Sequence, residues 1–319
     1  MGEGLALGID IGATNFRLGL VSSDGVVLER RMEGVGRDRS ARGIVSQVER
    51  CAAAVGYNGV VGVGIGVPGI VDPSCGVVYR SPHYPKWLNE PVKEMFEDTL
   101  GLPVVLDNDA NMAASGEGWR GAASGMDNFI MITLGTGVGG GIVCGGRLFR
   151  GEKGFTGEIG HMVVDFDGPS CACGGRGCLE TYTSASGIPN ILGRLGEGDR
   201  RRIIDAAGGD VSSVTPRLLY ELAKGGDPSS SLAWRWFGRY LGVGIASLVN
   251  ITGIFNIVIG GGISRAWDCF ISHLEDEMKK RLYKESASFV RIVQASLLDD
   301  AGILGGANEV FKSLGSHGV

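Results

Sequence analysis

Two stretches of this chain follow the same plan. Leu5–Ile11 is apolar, Gly12-Ala13-Thr14-Asn15 forms a turn signal, and 16–22 alternates apolar with polar. Phe129–Leu134 is apolar again, 135–140 is rich in glycine, and 141–144 returns to an apolar run. Strand, glycine turn, strand, met twice, predicts two similar halves, each presenting a backbone loop toward a shared cleft. Between and after these stretches the pattern alternates. Asp24-Gly25 marks a hairpin before a strand at 26–32. Ile44, Val45 and Val48 set a helical period over 41–55, and Val60–Val67 reads as a buried strand. A helix at 91–100, a strand at 103–106 and, after Asp109, a small-residue helix to about Arg120 follow. Thr215-Pro216 is a helix start, with Thr as cap and Pro at the first helical position. A strand at 257–259 runs into Gly260-Gly261-Gly262, and helices fill 265–283 and 301–314. Helices alternating with apolar strands make the chain α/β.

Composition narrows the function classes. The 319 residues suffice for about two domains. With 44% hydrophobic and 20% charged residues the chain can bury a core. Glycine, 56 residues, is far above the usual ~7%, without a triplet period. It is expected in tight turns and in loops where backbone approaches a ligand. Net charge is −5 and the basic runs are short, so no basic face for nucleic acid is expected. Residues 240–264 carry no charge, but Asn250, Thr252, Gly253 and Asn256 break the stretch, which reads as a buried helix and strand rather than a membrane span. Asp10 lies within the first apolar run and no basic segment precedes it, unlike a signal peptide. Seven cysteines, an odd number, argue against a disulfide framework and for a reducing, cytoplasmic setting. Cys51, Cys75, Cys144 and Cys269 read as small core or surface residues and the five tryptophans as packing, while His83, His273 and His317 show no partner readable from the sequence.

No Gly-Lys-Ser/Thr occurs, which excludes a Walker A loop. G-x-G-x-x-G occurs at 64–69 and 135–140, but neither copy opens a helix, as a dinucleotide fingerprint requires. The two hairpin turns suit phosphate differently. Successive N–H groups of a glycine turn form an anion nest, and Thr14 and Thr136 add hydroxyls beside it. Asp10, ending the first strand, is placed to orient Mg2+ and its waters against phosphates. Asp107-Asn108-Asp109 follows a buried strand and precedes a helix rich in alanine and glycine. Alone, Asp109 reads as a helix cap; beside two phosphate loops it is a candidate base for a substrate hydroxyl. Glu158-Ile159-Gly160-His161, nine residues, and then Cys171, Cys173 and Cys178 supply a Cys3His set suited to four-coordinate structural zinc. That segment also carries Glu158, His161 and Glu180, polar groups suited to a polyhydroxylated ligand.

Asp10-Ile11-Gly12-Ala13-Thr14-Asn15, Asn108-Asp109-Ala110-Asn111, 134–140, Glu158 to His161 and the cysteine cluster ending in Glu180 come in an order that resembles the ROK family of repressors and sugar kinases. The likeness runs from residue 5 to about 310 and is greatest to the bacterial ATP-dependent glucokinases. It implies an actin-like (ribonuclease H-like) ATPase fold: two α/β domains around a cleft, one of 1–115 plus 301–319 and a larger one of 116–300 with the zinc loop 158–180. It implies that Asp109 is the base on the sugar 6-hydroxyl, and that Gly69, Asn108, Glu158, His161 and Glu180 contact the sugar, His161 while also binding zinc. Asp10, Gly12, Thr14, Asn15, Thr136 and Gly137 would serve ATP phosphates and Mg2+, with Gly260, Gly261 and Gly262 near the adenosine. One departure stands out: relatives often carry Asn-Pro before the late strand, where this chain has Thr252-Gly253-Ile254-Phe255. Glucose is the expected substrate, and a homodimer the expected assembly. N-acetylglucosamine, N-acetylmannosamine or mannose, and polyphosphate as donor, stay open. A sugar-responsive repressor would carry an extra helix-turn-helix, for which the strand beginning at Leu5 leaves no room. An actin-like structural or chaperone ATPase would lack the zinc loop.

Overall fold

The computed structural model describes residues 4–315; His317 lies outside them. The described residues form thirteen strands: β1 Leu5–Ile11, β2 Asn15–Ser22, β3 Val27–Gly34, β4 Val60–Val67, β5 Ile70–Asp72, β6 Val77–Arg80, β7 Leu88–Glu90, β8 Val104–Asn108, β9 Phe129–Leu134, β10 Val138–Cys144, β11 Arg147–Leu148, β12 Asn256–Gly260 and β13 Arg291–Gln294. The helices are α1 Ala41–Val55, α2 Val92–Leu100, α3 Asp109–Arg120, α4 Glu180–Thr183, α5 Ile188–Leu192, α6 Glu197–Ala206, α7 Pro216–Lys224, α8 Pro228–Thr252, α9 Trp267–Lys279 and α10 Ala301–Gly315. The chain forms two compact units, one holding the described residues within 1–131, 141–157 and 295–319, the other 132–140 and 158–294.

The expected repeat is visible in strand order. One sheet runs β3-β2-β1-β4-β8 and another β11-β10-β9-β12-β13, so each glycine hairpin occupies the same place in its sheet. In the first sheet β1 pairs antiparallel with β2 and parallel with β4, and β4 pairs parallel with β8. Several expected boundaries shift. The second hairpin turn is shorter than 135–140, because β10 begins at Val138. The strand expected at 103–106 extends to Asn108, and Asn108 rather than Asp109 caps α3. The long uncharged stretch is the end of α8 and β12, and no described helix is long and apolar enough to cross a membrane.

Alternation along β1 explains how the first sheet is covered. Leu7, Ile9 and Ile11 face a core completed by Ile44 and Val48 of α1 and Phe96 of α2. Ala6 faces the other way, with Ile303, Leu304, Ala307 and Val310 of α10. On that side Gly8 and Gly64 lie so close to α10 that a Cβ on either would run into the carbonyl of Ile303 or Gly306. A Cβ on Gly305 would strike the carbonyl of Met112 in α3. Part of the glycine excess therefore serves helix-on-sheet contact rather than ligand loops.

In the other unit, α8 packs on α9 through Gly238 and Gly242, where a Cβ would stand 2.5 Å from the carbonyls of Phe270 and Leu274. Across this pair Glu277 is 4% exposed and accepts Arg239 Nε at 2.9 Å, with Arg281 and Lys280 completing the cluster. Burial alone would raise the Glu277 carboxyl, but hydrogen bonds from Arg239 and Arg281 overcome it and hold the group at about 2, against an ordinary 4.5. A lowered folded-state value means stabilisation that is complete above pH 4.5 and lost as pH falls toward 2. Glu277→Gln is expected to lower the thermal midpoint at pH 7, and the gap to wild type should close between those two pH values. Melts followed by circular dichroism across that range measure it; a gap independent of pH would contradict the ion-cluster account.

Candidate functional site

The residues singled out from the sequence fall into two groups, one in each unit. In the first, β1 ends at Asp10 and Ile11, and the following turn closes with Gly12 N–H on the Asn15 carbonyl at 2.9 Å. Tyr84 Oη donates to the Gly12 carbonyl at 2.7 Å, and Asn15 Nδ2 donates to Thr14 Oγ1 at 3.3 Å. The antiparallel register sets Arg17 directly across from Asp10. Arg17 Nη1 reaches Asp10 Oδ2 only at 3.5 Å, while its Nη2 makes a 2.9 Å pair with Asp299. Burial pushes the Asp10 carboxyl up, partly offset by Arg17. Gly302, near the start of α10, comes so close that a Cβ there would lie 2.8 Å from Asp10 Cγ. A loosely held carboxylate beside a turn rich in N–H groups suits a Mg2+ that keeps most of its waters. Arg17 and Asp299 were absent from the sequence reading; hairpin register could have identified Arg17.

The same unit brings Gly69, Asn108 and Asp109 together. Asn108 Oδ1 accepts the N–H groups of Ala110 at 2.8 Å and Asn111 at 3.3 Å, and its Nδ2 donates to the Gly69 carbonyl at 3.0 Å. One side chain thus caps α3 and fixes the turn after β4. Gly69 has φ +121°, and a Cβ there would run into the Arg80 carbonyl, so only glycine fits comfortably. Asp109 occupies the first turn of α3, where the free N–H groups stabilise negative charge, and its Oδ1 accepts the Ala110 N–H at 2.9 Å.

In the second unit, Gly135 N–H closes the turn on the Gly137 carbonyl at 2.9 Å, and Thr136 accepts Ser186 Oγ through its carbonyl at 3.1 Å. Glu180 Oε2 accepts the Val138 N–H at 2.9 Å and fills the place where a Gly137 side chain would stand. Glu158, the residue before the single turn 159–161, lies 3.8 Å from His161 Nε2. Burial raises the Glu158 carboxyl, His161 opposes that, and Glu180 adds to it. Glu158, His161 and Glu180 are therefore one electrostatic group. Gly260 ends β12, and Gly261, at φ +82°, abuts the backbone of Leu134 at the end of β9, one residue before the 135–137 turn.

The other face of His161 looks at sulfur. Its Nδ1 lies 3.7 Å from Cys171 Sγ, and Cys173 Sγ lies 3.8 Å from Cys178 Sγ. All four donor atoms fall within 4.8 Å of one another. A tetrahedral ion with ~2.3 Å bonds to sulfur and ~2.0–2.1 Å to nitrogen would set its ligand atoms ~3.6–3.8 Å apart, so the set fits a four-coordinate metal. Cys171 N–H bonds the Gly175 carbonyl and Gly174 N–H bonds the Cys171 carbonyl, folding the chain back as such a site requires. Burial pushes the Cys178 thiol up to about 12, whereas the Gly175 N–H lowers Cys173. Metal binding would release such protons.

The ROK family profile matches residues 6–312 of this chain. The glucokinase of Thermotoga maritima is 33% identical over 310 residues, covering 97% of this chain and 98% of that protein. The xylose repressor of Caldicellulosiruptor bescii is 31% identical over 309 residues, 95% of this chain but 77% of the repressor. A crystal structure of a ROK family glucokinase from Streptomyces griseus in complex with glucose and AMPPNP superposes with a TM-score of 0.82 at 34% identity, covering 97% of this chain and 100% of that one. With repeated sheets, glycine hairpins and the Cys3His cluster in the expected order, the fold is the actin-like ATPase fold, and the chain belongs to the ROK family.

Proposed function

We propose that this chain is an ATP-dependent hexose kinase that transfers the γ-phosphoryl group of ATP to the 6-hydroxyl of glucose. The observation that carries the reading is the start of α3, where one Asn108 side chain caps the helix presenting Asp109 and holds the Gly69 turn. The same reading is supported by the likeness, over nearly the whole chain, to a glucokinase solved with glucose and AMPPNP.

Phosphoryl transfer asks a protein mainly to position its reactants and to stabilise spread negative charge. Asp109 accepts the 6-hydroxyl proton as that oxygen bonds the γ-phosphorus and the bond to the bridging oxygen of ADP breaks. Asn108 and the Gly69 turn orient the sugar, joined by Glu158, His161 and Glu180. Gly12, Thr14 and Asn15 on one hairpin, and Thr136 and Gly137 on the other, offer N–H and hydroxyl donors to the phosphates. Gly260 to Gly262 would lie near the adenosine. Asp10 would hold Mg2+, which supplies neutralisation of phosphate charge when bound. His161, Cys171, Cys173 and Cys178 would hold zinc, whose role is to fix the segment carrying Glu158, His161 and Glu180. A homodimer is the assembly we favour.

Asp109→Asn keeps the shape of the helix start but cannot take a proton. It is expected to cut turnover by ~10²–10⁴-fold with little change in sugar affinity. Coupled ADP assays and sugar titration by intrinsic fluorescence separate the two; turnover near wild type would overturn the assignment. Removing the metal with a chelator, checked by elemental analysis, is expected to weaken sugar binding before the protein unfolds. Sugar affinity unchanged in metal-free protein would contradict the role given to the cluster.

A further inference from the structure

Next to the Asp109 turn runs a chain of charged side chains, its two carboxylates buried and Arg150 partly exposed, that the phosphoryl-transfer scheme does not use. Asp107 is 1% exposed and lies two residues before Asp109. Its Oδ1 accepts the Asn108 N–H at 2.7 Å and Asn111 Nδ2 at 2.8 Å. Its Oδ2 accepts Arg150 Nε at 2.6 Å. The Arg150 guanidinium continues to Glu309 on α10, with Nη2 2.8 Å from Oε2. Glu309 Oε1 accepts Ser115 Oγ at 2.6 Å and Lys312 Nζ at 3.0 Å. Asn308 Nδ2 donates to Ser115 Oγ at 2.9 Å. The run from α10 through Arg150 to β8 and α3 therefore has a donor matched to every carboxylate oxygen.

We infer that Arg150 is a positioning residue for the reaction: by bridging Asp107 and Glu309 it holds the β8–α3 turn in the geometry that presents Asn108 and Asp109. This rests on the base assignment given to Asp109. Three features make Arg150 the controlling member. Its planar fork spans two carboxylates at once, which a lysine ammonium cannot do with the same directionality. Its partner Asp107 is buried, so loss of the guanidinium leaves a carboxylate that must find another donor or water. The Asp107 oxygen that it does not touch holds the amide of Asn108, the residue that caps α3 and bonds Gly69. A rotation of the Asp107 carboxylate thus moves the base without any change at Asp109 itself.

The test compares wild type, Arg150→Lys and Arg150→Ala as full chains, with three readouts. In Arg150→Lys, kcat is expected to fall by about 10²-fold, the scale of a small misplacement of a reacting group. Sugar affinity, measured by fluorescence without nucleotide, should hold. Amide hydrogen exchange should quicken at 108–112 and stay slow in β1 and β4. In Arg150→Ala, millimolar guanidinium should restore part of kcat, a rescue that a purely structural defect would not show. Wild-type kcat in either variant overturns the inference, as does a fall in kcat matched by equal loss of sugar affinity with exchange raised throughout the first sheet. If Arg150→Ala does not fold, Arg150→Lys decides alone. Wild-type protein inactive with every sugar would contradict the kinase reading instead; exchange at 108–112 unchanged in Arg150→Lys would then still overturn the relay.

Discussion

Backbone-to-backbone packing of α10 on the first sheet is the constraint on which the rest of that unit depends. Gly8 on β1 and Gly64 on β4 leave no side chain between strand and helix, and Gly305 does the same between α10 and α3. Any larger residue at these points would force strand and helix apart, because the obstacle is a carbonyl rather than a movable side chain. Three consequences follow from that contact. Ile303, Leu304, Ala307 and Val310 close the apolar face of the sheet. Gly302 comes up against Asp10. Glu309 comes within reach of Ser115 and Arg150. The same glycines that look wasteful by composition thus set the distances among the charged groups of the unit.

The polar groups of both units are held by the chain's own hydrogen bonds. Asn108 ties two turns with one amide, Asp107 ties the same turn to Arg150, and Glu117, fully buried, takes the N–H groups of Ala122 and Leu297 at 2.7 and 2.8 Å. In the other unit Glu180 is fixed by the Val138 N–H while it shares an electrostatic neighbourhood with Glu158 and His161. Preorganised groups of this kind need little reorganisation when charge develops, which is where most catalytic stabilisation comes from. His161 has a distinct use for each ring nitrogen: Nδ1 faces the Cys171 sulfur and Nε2 faces Glu158. A ring held that way orients its second nitrogen for the groups around it.

Local features were readable from the residues. Helix α1, strands β4 and β9, the Thr215 cap and the glycine hairpins follow from periodicity, turn chemistry and capping, all of which act over a few residues. The cluster of His161 with three cysteines was legible for the same reason, since its spacing is short. What escaped was set by contacts between distant positions. Asp109 was weighed as a cap, but Asn108 does that work, because β8 runs two residues further than its apolar run suggests. Arg17 opposite Asp10 needed the hairpin register. Arg150 with Asp107 and Glu309 needed the whole fold, since nothing local distinguishes that arginine from a surface one. The glycine excess reads as turns and ligand loops, and only the contact of α10 with β1, β4 and α3 shows why Gly8, Gly64 and Gly305 are glycine.

The central claim is that these groups serve phosphoryl transfer to glucose. ADP release from metal-loaded protein, given MgATP and a panel of hexoses and N-acetylhexosamines, tests it most directly. The predicted result is turnover with a clear preference for glucose and formation of glucose 6-phosphate. Turnover with an acetylated sugar alone would contradict the substrate, and sugar binding without turnover across the panel would contradict the kinase assignment itself.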